Sequence, residues 1–269
     1  MSLPLAALLG LAVILAAAAG VWLVSVWQRD ASIADIGWGA GFVLLAWLYA
    51  ILAGAWSPRA GLVLVLTTVW GGRLALHLFV RNHGRGEDPR YHAMRAAHGQ
   101  AFWWRSLFTV FWLQAAILWF VSVPLLLAVR RVEAAGLTWI DAAGTVLFLL
   151  GFACEAVGDR QLARFKADPA NRGRVLNHGL WRYTRHPNYF GDATLWWGLW
   201  LVAVATPYGW LTLLSPALMT FLLLRVSGVA LLERGLVASK PAYAAYVART
   251  SAFVPWPPKV SCQARAGGE

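Results

Sequence analysis

Seven stretches of predominantly apolar residues divide the chain, near 3–27, 34–55, 60–80, 106–129, 138–158, 187–206 and 209–232. Each approaches the roughly 20 residues that an α-helix needs to cross the hydrocarbon of a bilayer, so the pattern predicts an all-α integral membrane protein with seven transmembrane helices. The gaps between these stretches differ in charge. Arg81, Arg85, Arg90, Arg95 and Arg105 fall between the third and fourth, and Arg160, Arg164, Lys166, Arg172, Arg174, Arg182 and Arg185 between the fifth and sixth. Arg234, Lys240, Arg249, Lys259 and Arg265 follow the seventh. The opposite gaps are assigned Arg29, Arg59 and the pair Arg130 and Arg131, with no basic residue between the sixth and seventh stretches. Positive charge collects on the cytoplasmic side, so the N-terminus is expected outside and the C-terminus in the cytoplasm. Residues 1–258 read as a single membrane domain, with a short helix over 239–248 and a flexible tail over 259–269. The apolar N-terminal stretch has no basic leader and is expected to be a retained span rather than a removable signal.

Composition agrees with that pattern. The chain is 59% hydrophobic and 13% charged, with a mean hydropathy of +0.58, values that a multi-span protein requires and a soluble domain rarely has. The net charge of +11 is interleaved with lipid-length apolar runs and accompanies no nucleic-acid motif. It is read as orientation charge plus an anionic ligand, with no nucleic-acid partner. Cys154 and Cys262 are too few for a disulfide framework, and no metal-spaced Cys/His cluster occurs. The absence of a strong internal repeat weakens a transporter reading. Membrane lipids are expected partners, and nothing signals an obligate protein partner. Many of the 17 tryptophans suit the bilayer interface, while others, Trp38 and Trp70 among the candidates, can wall a cavity for a flat apolar substrate.

Candidate chemistry lies where ionisable residues meet apolar stretches, because such residues are costly in a membrane. Asp35 opens the second stretch, in Ile33-Ala34-Asp35-Ile36-Gly37-Trp38-Gly39. It is a candidate proton or hydrogen-bond donor, or alternatively a helix N-cap at the outer surface. Arg73 and His77 stand four apart on one face of the third stretch, able to orient a polar ligand atom or to pair with Asp35. Glu155 and Asp159 repeat that spacing at the end of the fifth. Carboxylates there oppose the helix dipole, which calls for compensation by neighbouring arginines or by a ligand's hydroxyls or carboxamide. Arg164, Lys166, Arg172, Arg174, Arg182 and Arg185 exceed what orientation demands and suit several phosphates. No GxGxxG or Walker motif is present, so a nucleotide site would be neither Rossmann nor P-loop. Pro187 costs little at a helix start, and the polar run before it looks like an anion site at the membrane surface.

The run Arg182-Tyr183-Thr184-Arg185-His186-Pro187-Asn188-Tyr189-Phe190-Gly191-Asp192 resembles the C-terminal signature of membrane sterol reductases. With the Asp35 segment and Arg249-Thr250-Ser251-Ala252-Phe253-Val254-Pro255-Trp256-Pro257-Pro258, the chain resembles the bacterial relatives of steroid 5α-reductase. The resemblance implies NADPH as cofactor, bound on the cytoplasmic side of a bacterial inner membrane, and a steroid or lipid-like enone in a membrane cavity. It implies cofactor contacts from Asp159, Arg174, Asn188 and Asp192, with Lys166 and Arg85 near the phosphates. Glu155, Arg164, Arg172, Tyr183, Arg185, His186, Tyr189 and Glu233 are further cofactor-site candidates. The steroid enzymes hold the substrate carbonyl with a glutamate in the second span and a tyrosine in the third. Here the second span offers Asp35, and residues 66–80 contain no tyrosine but Trp70, Arg73 and His77. The alternative is an S-adenosylmethionine-dependent membrane methyltransferase of the isoprenylcysteine or phospholipid type, which also carries an Arg-His-Pro-x-Tyr segment and a late glutamate, as Glu233 could be.

Overall fold

A computed structural model describes residues 1–54, 56–130, 136–226, 233 and 241–259. Sequence expectations for Arg131, Arg234, Lys240, Cys262 and Arg265 and for most of the tail lie outside the described residues. Of the described residues 80% are helical, and the extended pairing among them is a single parallel bridge between Thr184 and Ser251. The helices are α1 (Leu3–Gln28), α2 (Ile33–Ala53), α3 (Pro58–Asn82), α4 (Pro89–Val121), α5 (Val123–Ala128), α6 (Trp139–Ala167), α7 (Pro187–Val204), α8 (Gly209–Val226) and α9 (Pro241–Arg249).

Six of them, α1 to α4, α6 and α8, are long and apolar enough to cross a membrane. The remaining expected span, 187–206, forms the 18-residue α7. Its first turns carry Pro187, Asn188 and Asp192, which dilute the Leu, Val and Trp run that follows. The expected fourth span, 106–129, is shifted. The helix begins at Pro89, with Asp88 accepting from the Arg90 N–H as N-cap, an arrangement that satisfies a backbone donor left open by the helix start. It then runs through a π-helical turn at Leu107–Trp112 and ends at Val121, before a break at Ser122.

The chain divides into two compact units. The first, Met1–Ala142 with Leu199–Ser215, packs α1, α2 and α4 together and α2 against α3. Gly39 and Gly71 meet at the α2–α3 crossing: a Cβ on Gly39 would stand 2.4 Å from the Gly71 carbonyl oxygen. Such contact brings two backbones to a distance no larger residue permits. At the start of α3 the Arg59 guanidinium grips Asp141 with two hydrogen bonds of 2.7 and 2.8 Å, both side chains buried. Elsewhere in this unit, the Ala31 N–H donates to Glu87 (2.9 Å) and the Asp88 N–H to the Ser32 hydroxyl (2.6 Å). The α1–α2 turn therefore lies beside the α3–α4 turn. Arg29 belongs with the basic residues 81–95, not across the bundle from them, and Asp35 lies at the same end.

The second unit, Ala143–Gly198 with Pro216–Glu269, holds the paired parts of α6 and α7. Glycines seven apart on each helix, Gly144, Gly151 and Gly158 against Gly191 and Gly198, form the contact. A Cβ on Gly191 would lie 2.4 Å from the Glu155 backbone nitrogen. That approach brings Glu155 and Asp159 of α6 beside the first turns of α7.

Candidate functional site

In the first unit, Asp35 anchors a half-buried polar cluster. One carboxylate oxygen accepts from the Tyr91 hydroxyl at 2.6 Å, the other from Arg90 Nη2 at 2.6 Å. Arg90 in turn is held by Asp88 through its Nε at 2.9 Å. The Tyr91 oxygen also accepts from Gln114 Nε2 at 3.1 Å. Tyr91 is 5% exposed, fixed among Ala31, Ala34, Phe102, Val110 and Phe111, so its hydroxyl has little freedom beyond the choice of partner. Gln114 also lines an apolar cavity of about 290 Å³ between α1, α2 and α4, walled by Ile14, Ala18, Trp38, Gly41 and Leu118 among others. An apolar chamber with one polar corner is the usual form of a small-molecule site. Beyond the helix itself, the loop just before it carries perturbed carboxylates. Burial would raise Glu87 and Asp88, but Arg95 and Arg90 respectively hold them below the ordinary carboxylate range.

The sequence candidates in this unit fall out as follows. Trp38 lines the cavity and packs edge-on to Phe42. Trp70 is fully buried against Phe42, away from the residues that line it. Arg73 and His77 are half-buried one turn apart on α3, both engaged. Arg85 is exposed between Gly84 and Gly86, both at positive φ. Tyr91 and Gln114 were not candidates from the sequence. The signal that could have found Tyr91 is Asp88-Pro89, an N-cap followed by a first-turn proline, which starts a helix well before residue 106.

In the second unit the segment before α7 is tied down on every side. Arg185 donates to both oxygens of Glu233, at 2.6 and 3.1 Å, and to the carbonyls of Val247 (3.2 Å) and Thr250 (2.6 Å). The same Glu233 faces His186 Nε2 at 3.2 Å, and the His186 ring stacks on Tyr189 with 7° between planes. Burial pushes His186 below its usual value, outweighing Glu233. Burial acts the opposite way on Glu233, yet Arg185 and His186 hold it low. Burial pushes Tyr243 up to about 12 and raises Tyr246 as well. The Tyr246 hydroxyl donates to the Trp181 carbonyl, and Trp181 Nε1 to the Gly158 carbonyl at 3.1 Å. Backbone bonds from Arg185 to Ser251 (2.9 Å) and from Trp256 to Tyr183 (3.0 Å) join this segment to the motif that closes the described chain.

Asn188 opens α7 beside α6. Its Nδ2 donates to Asp159 at 3.1 Å, while its buried Oδ1 has no partner among the described residues. Buried acceptors are ordinarily satisfied, so this oxygen is an open acceptor beside the Glu155 and Asp159 carboxylates. Glu155 and Asp159 are buried at 3% and 7% exposure, and Asp192 is half-buried. Arg164, Lys166, Arg172, Arg174 and Tyr183 are exposed. Among the described residues, no cluster of His, Cys, Asp and Glu could hold a metal ion.

The family model described as "Protein of unknown function (DUF1295)" matches residues 21–250. A protein of Schizosaccharomyces pombe described as "Uncharacterized protein C594.04c" is 26% identical over 206 residues, which cover 67% of this chain and 60% of the yeast protein. The chain thus spans about 60% of the length of that relative. No solved structure matches. The chain belongs to the DUF1295 family, which is related to steroid 5α-reductase-like proteins.

Proposed function

We propose that this protein is a membrane-embedded, NADPH-dependent reductase that adds hydrogen across the carbon–carbon double bond of a steroid-like or other lipid enone, as in 3-oxo-Δ4-steroid 5α-reduction. The observation that carries the proposal is the chain Asp35–Tyr91–Gln114 at the corner of an apolar cavity. A second-span carboxylate bonded to a tyrosine is the pair that the resemblance calls for, with the tyrosine supplied from α4 rather than the third span.

NADPH, when bound, supplies the hydride for the β carbon of the enone. The chain's own residues do the rest. Asp35, with Arg90 on its other oxygen, orients the Tyr91 phenol. Gln114 spends one Nε2 hydrogen on Tyr91, leaving the second for a carbonyl oxygen in the cavity. As negative charge builds on that oxygen, the remaining Nε2 hydrogen of Gln114, held in orientation by Tyr91 and Asp35, stabilises it more than it stabilises the ground state. A proton taken up from water and delivered to the α carbon balances the hydride and completes the reduction. The apolar walls exclude water and hold the flat substrate in orientation.

In the second unit, the open Oδ1 of Asn188 fits the N–H of a nicotinamide carboxamide. Glu155, Asp159 and Asp192 suit hydroxyl donors, and Arg164, Lys166, Arg172 and Arg174 suit phosphates. Titration calorimetry and turnover on two variants test this assignment. Asp35→Ala is expected to abolish turnover with NADPH affinity intact, and Asn188→Ala to weaken NADPH binding. Equal loss of NADPH affinity in both would refute the division of labour. One observation favours the methyltransferase reading: Arg185, His186 and Glu233 meet in a single cluster. The buried Arg185 already occupies both Glu233 oxygens, and S-adenosylmethionine, which lacks phosphates, does not call for the density of arginines between 160 and 185.

A further inference from the structure

We propose that the cleft between the C-terminal end of α1 and the first turns of α4 binds the phosphate group of a bilayer phospholipid. The cleft, about 290 Å³ in volume, is lined by Ser25, Val26, Arg29, Arg95, Phe102, Trp103 and Ser106. It is separate from the cavity beside Gln114 and independent of the reductase reading.

Its two guanidinium groups are prepared differently. Arg95 is fixed: its Nε and Nη2 donate to Glu87 at 2.8 and 2.7 Å, and its guanidinium lies 4.6 Å from the centre of the Phe102 ring. That leaves Nη1 unused by Glu87. Arg29 makes no side-chain hydrogen bond or ion pair among the described residues. It is presented by an uncommon backbone state, a left-handed cap (φ 56°) whose N–H bonds the Ser25 and Val26 carbonyls; non-glycine residues rarely adopt this state without a local cause. Glu87 neutralises Arg95, and Asp30 directs an oxygen to the Ser32 N–H, so Arg29 is the cation left for a ligand. A planar fork of donors suits phosphate oxygens.

The depth of the cleft identifies the source of the phosphate. The long apolar run of α1 ends here, and Trp27, Trp103 and Trp104 are exposed, at 82%, 55% and 44%. Tryptophans concentrate where hydrocarbon meets headgroups. Trp22 stacks on Trp103 and donates to its carbonyl at 2.8 Å, which fixes the wall on this side. Val26 and Phe102 give the cleft an apolar side for the glycerol and upper acyl chain, while Arg29 and Arg95 meet the phosphate.

The test uses the full chain in a non-ionic detergent, with dioctanoyl phosphatidylglycerol, dioctanoylglycerol and inorganic phosphate as probes. The phospholipid should raise the unfolding temperature saturably, because a ligand of the native state stabilises it. Dioctanoylglycerol, which lacks the phosphate, should not. Arg29→Gln should weaken the phospholipid's apparent affinity by about tenfold or more, the loss expected for a hydrogen bond to a charged group. Arg105→Gln, an exposed arginine outside the cleft, should leave affinity unchanged. Arg29 is exposed, so the variant's unfolding temperature without lipid should equal the wild type's; should it fall, Arg29→Lys, which keeps the charge and loses the fork, is expected to bind with intermediate affinity. An equal response to dioctanoylglycerol, an undiminished response in Arg29→Gln, or a matching shift from inorganic phosphate alone would overturn the proposal.

Discussion

Tyr91→Phe separates catalysis from architecture more cleanly than any other single change. It removes one oxygen from a ring packed on all sides, so no cavity larger than a hydroxyl results. Asp35 loses a 2.6 Å hydrogen bond and Gln114 loses its acceptor. Hydrogen bonds to charged groups contribute roughly 1.5–3 kcal/mol. The cost here belongs at the lower end, because Asp35 keeps Arg90 and its side chain is 17% exposed, open to a replacing water. A stability loss of about 1–2 kcal/mol is therefore expected. Without Tyr91 as acceptor, Gln114 no longer holds its second hydrogen toward the substrate oxygen, and losing one oriented donor costs about 10²–10³ in rate, so kcat should fall about a hundredfold, about 2.7 kcal/mol, with KM little changed. The assay follows NADPH absorbance with an enone that the wild type reduces, beside chemical unfolding of both proteins in the same detergent. A kcat within tenfold of the wild type, with the expected stability loss, would assign Tyr91 a structural role only and remove the mechanism proposed above.

Three further outcomes follow from the packing and the ionic groups. Gly191→Ala places a methyl 2.4 Å from the Glu155 nitrogen and should destabilise the second unit by about 1–3 kcal/mol or more; Gly20→Ala, with nothing within 4 Å, should be neutral or slightly stabilising in thermal unfolding. Asp141→Asn leaves the buried Arg59 with half a partner and should cost about 3–5 kcal/mol, whereas Arg59→Met with Asp141→Leu should cost much less in a double-mutant cycle. The native values of His186 and Glu233 both lie below their unfolded ones, so each contributes stability that is present above its unfolded value and lost as pH falls through the folded one. Unfolding midpoints should decline on acidification, first below about pH 6.5 from His186 and again below about 4.3 from Glu233, and His186→Gln should flatten the first decline.

Most of the helices were legible because a lipid-length apolar run has few other fates. Helix α4 was not, since residues 89–101 are polar and amphipathic; their start is encoded by Asp88 and Pro89, a local signal weaker than twenty apolar residues. Helix α7 was expected as a span from its apolar run through Ala205, but the polar residues of its first turns lower the helix as a whole. The pairing of Glu155 with Asp159 on one helix face could be read from spacing, whereas Asn188 was a candidate through the resemblance, and its bond to Asp159 depends on the packing of α6 against α7. The partners of Asp35 could not, as Arg90 and Tyr91 lie 55 and 56 residues away and meet it only through the turn joining α3 to α4, with Gln114 reaching Tyr91 from further along α4. Glu233 was a candidate on resemblance alone, and its bidentate grip on Arg185 is a property of the fold.

The most direct test of the reductase proposal is the unfolding temperature of the detergent-purified chain with saturating nucleotide. A ligand at a hundred times its dissociation constant stabilises the native state by about 2.7 kcal/mol. NADPH should raise the midpoint by several degrees in the wild type and much less in Asn188→Ala. A shift with S-adenosylmethionine and none with NADPH would contradict the reductase and favour the methyltransferase, and no shift with either would remove both.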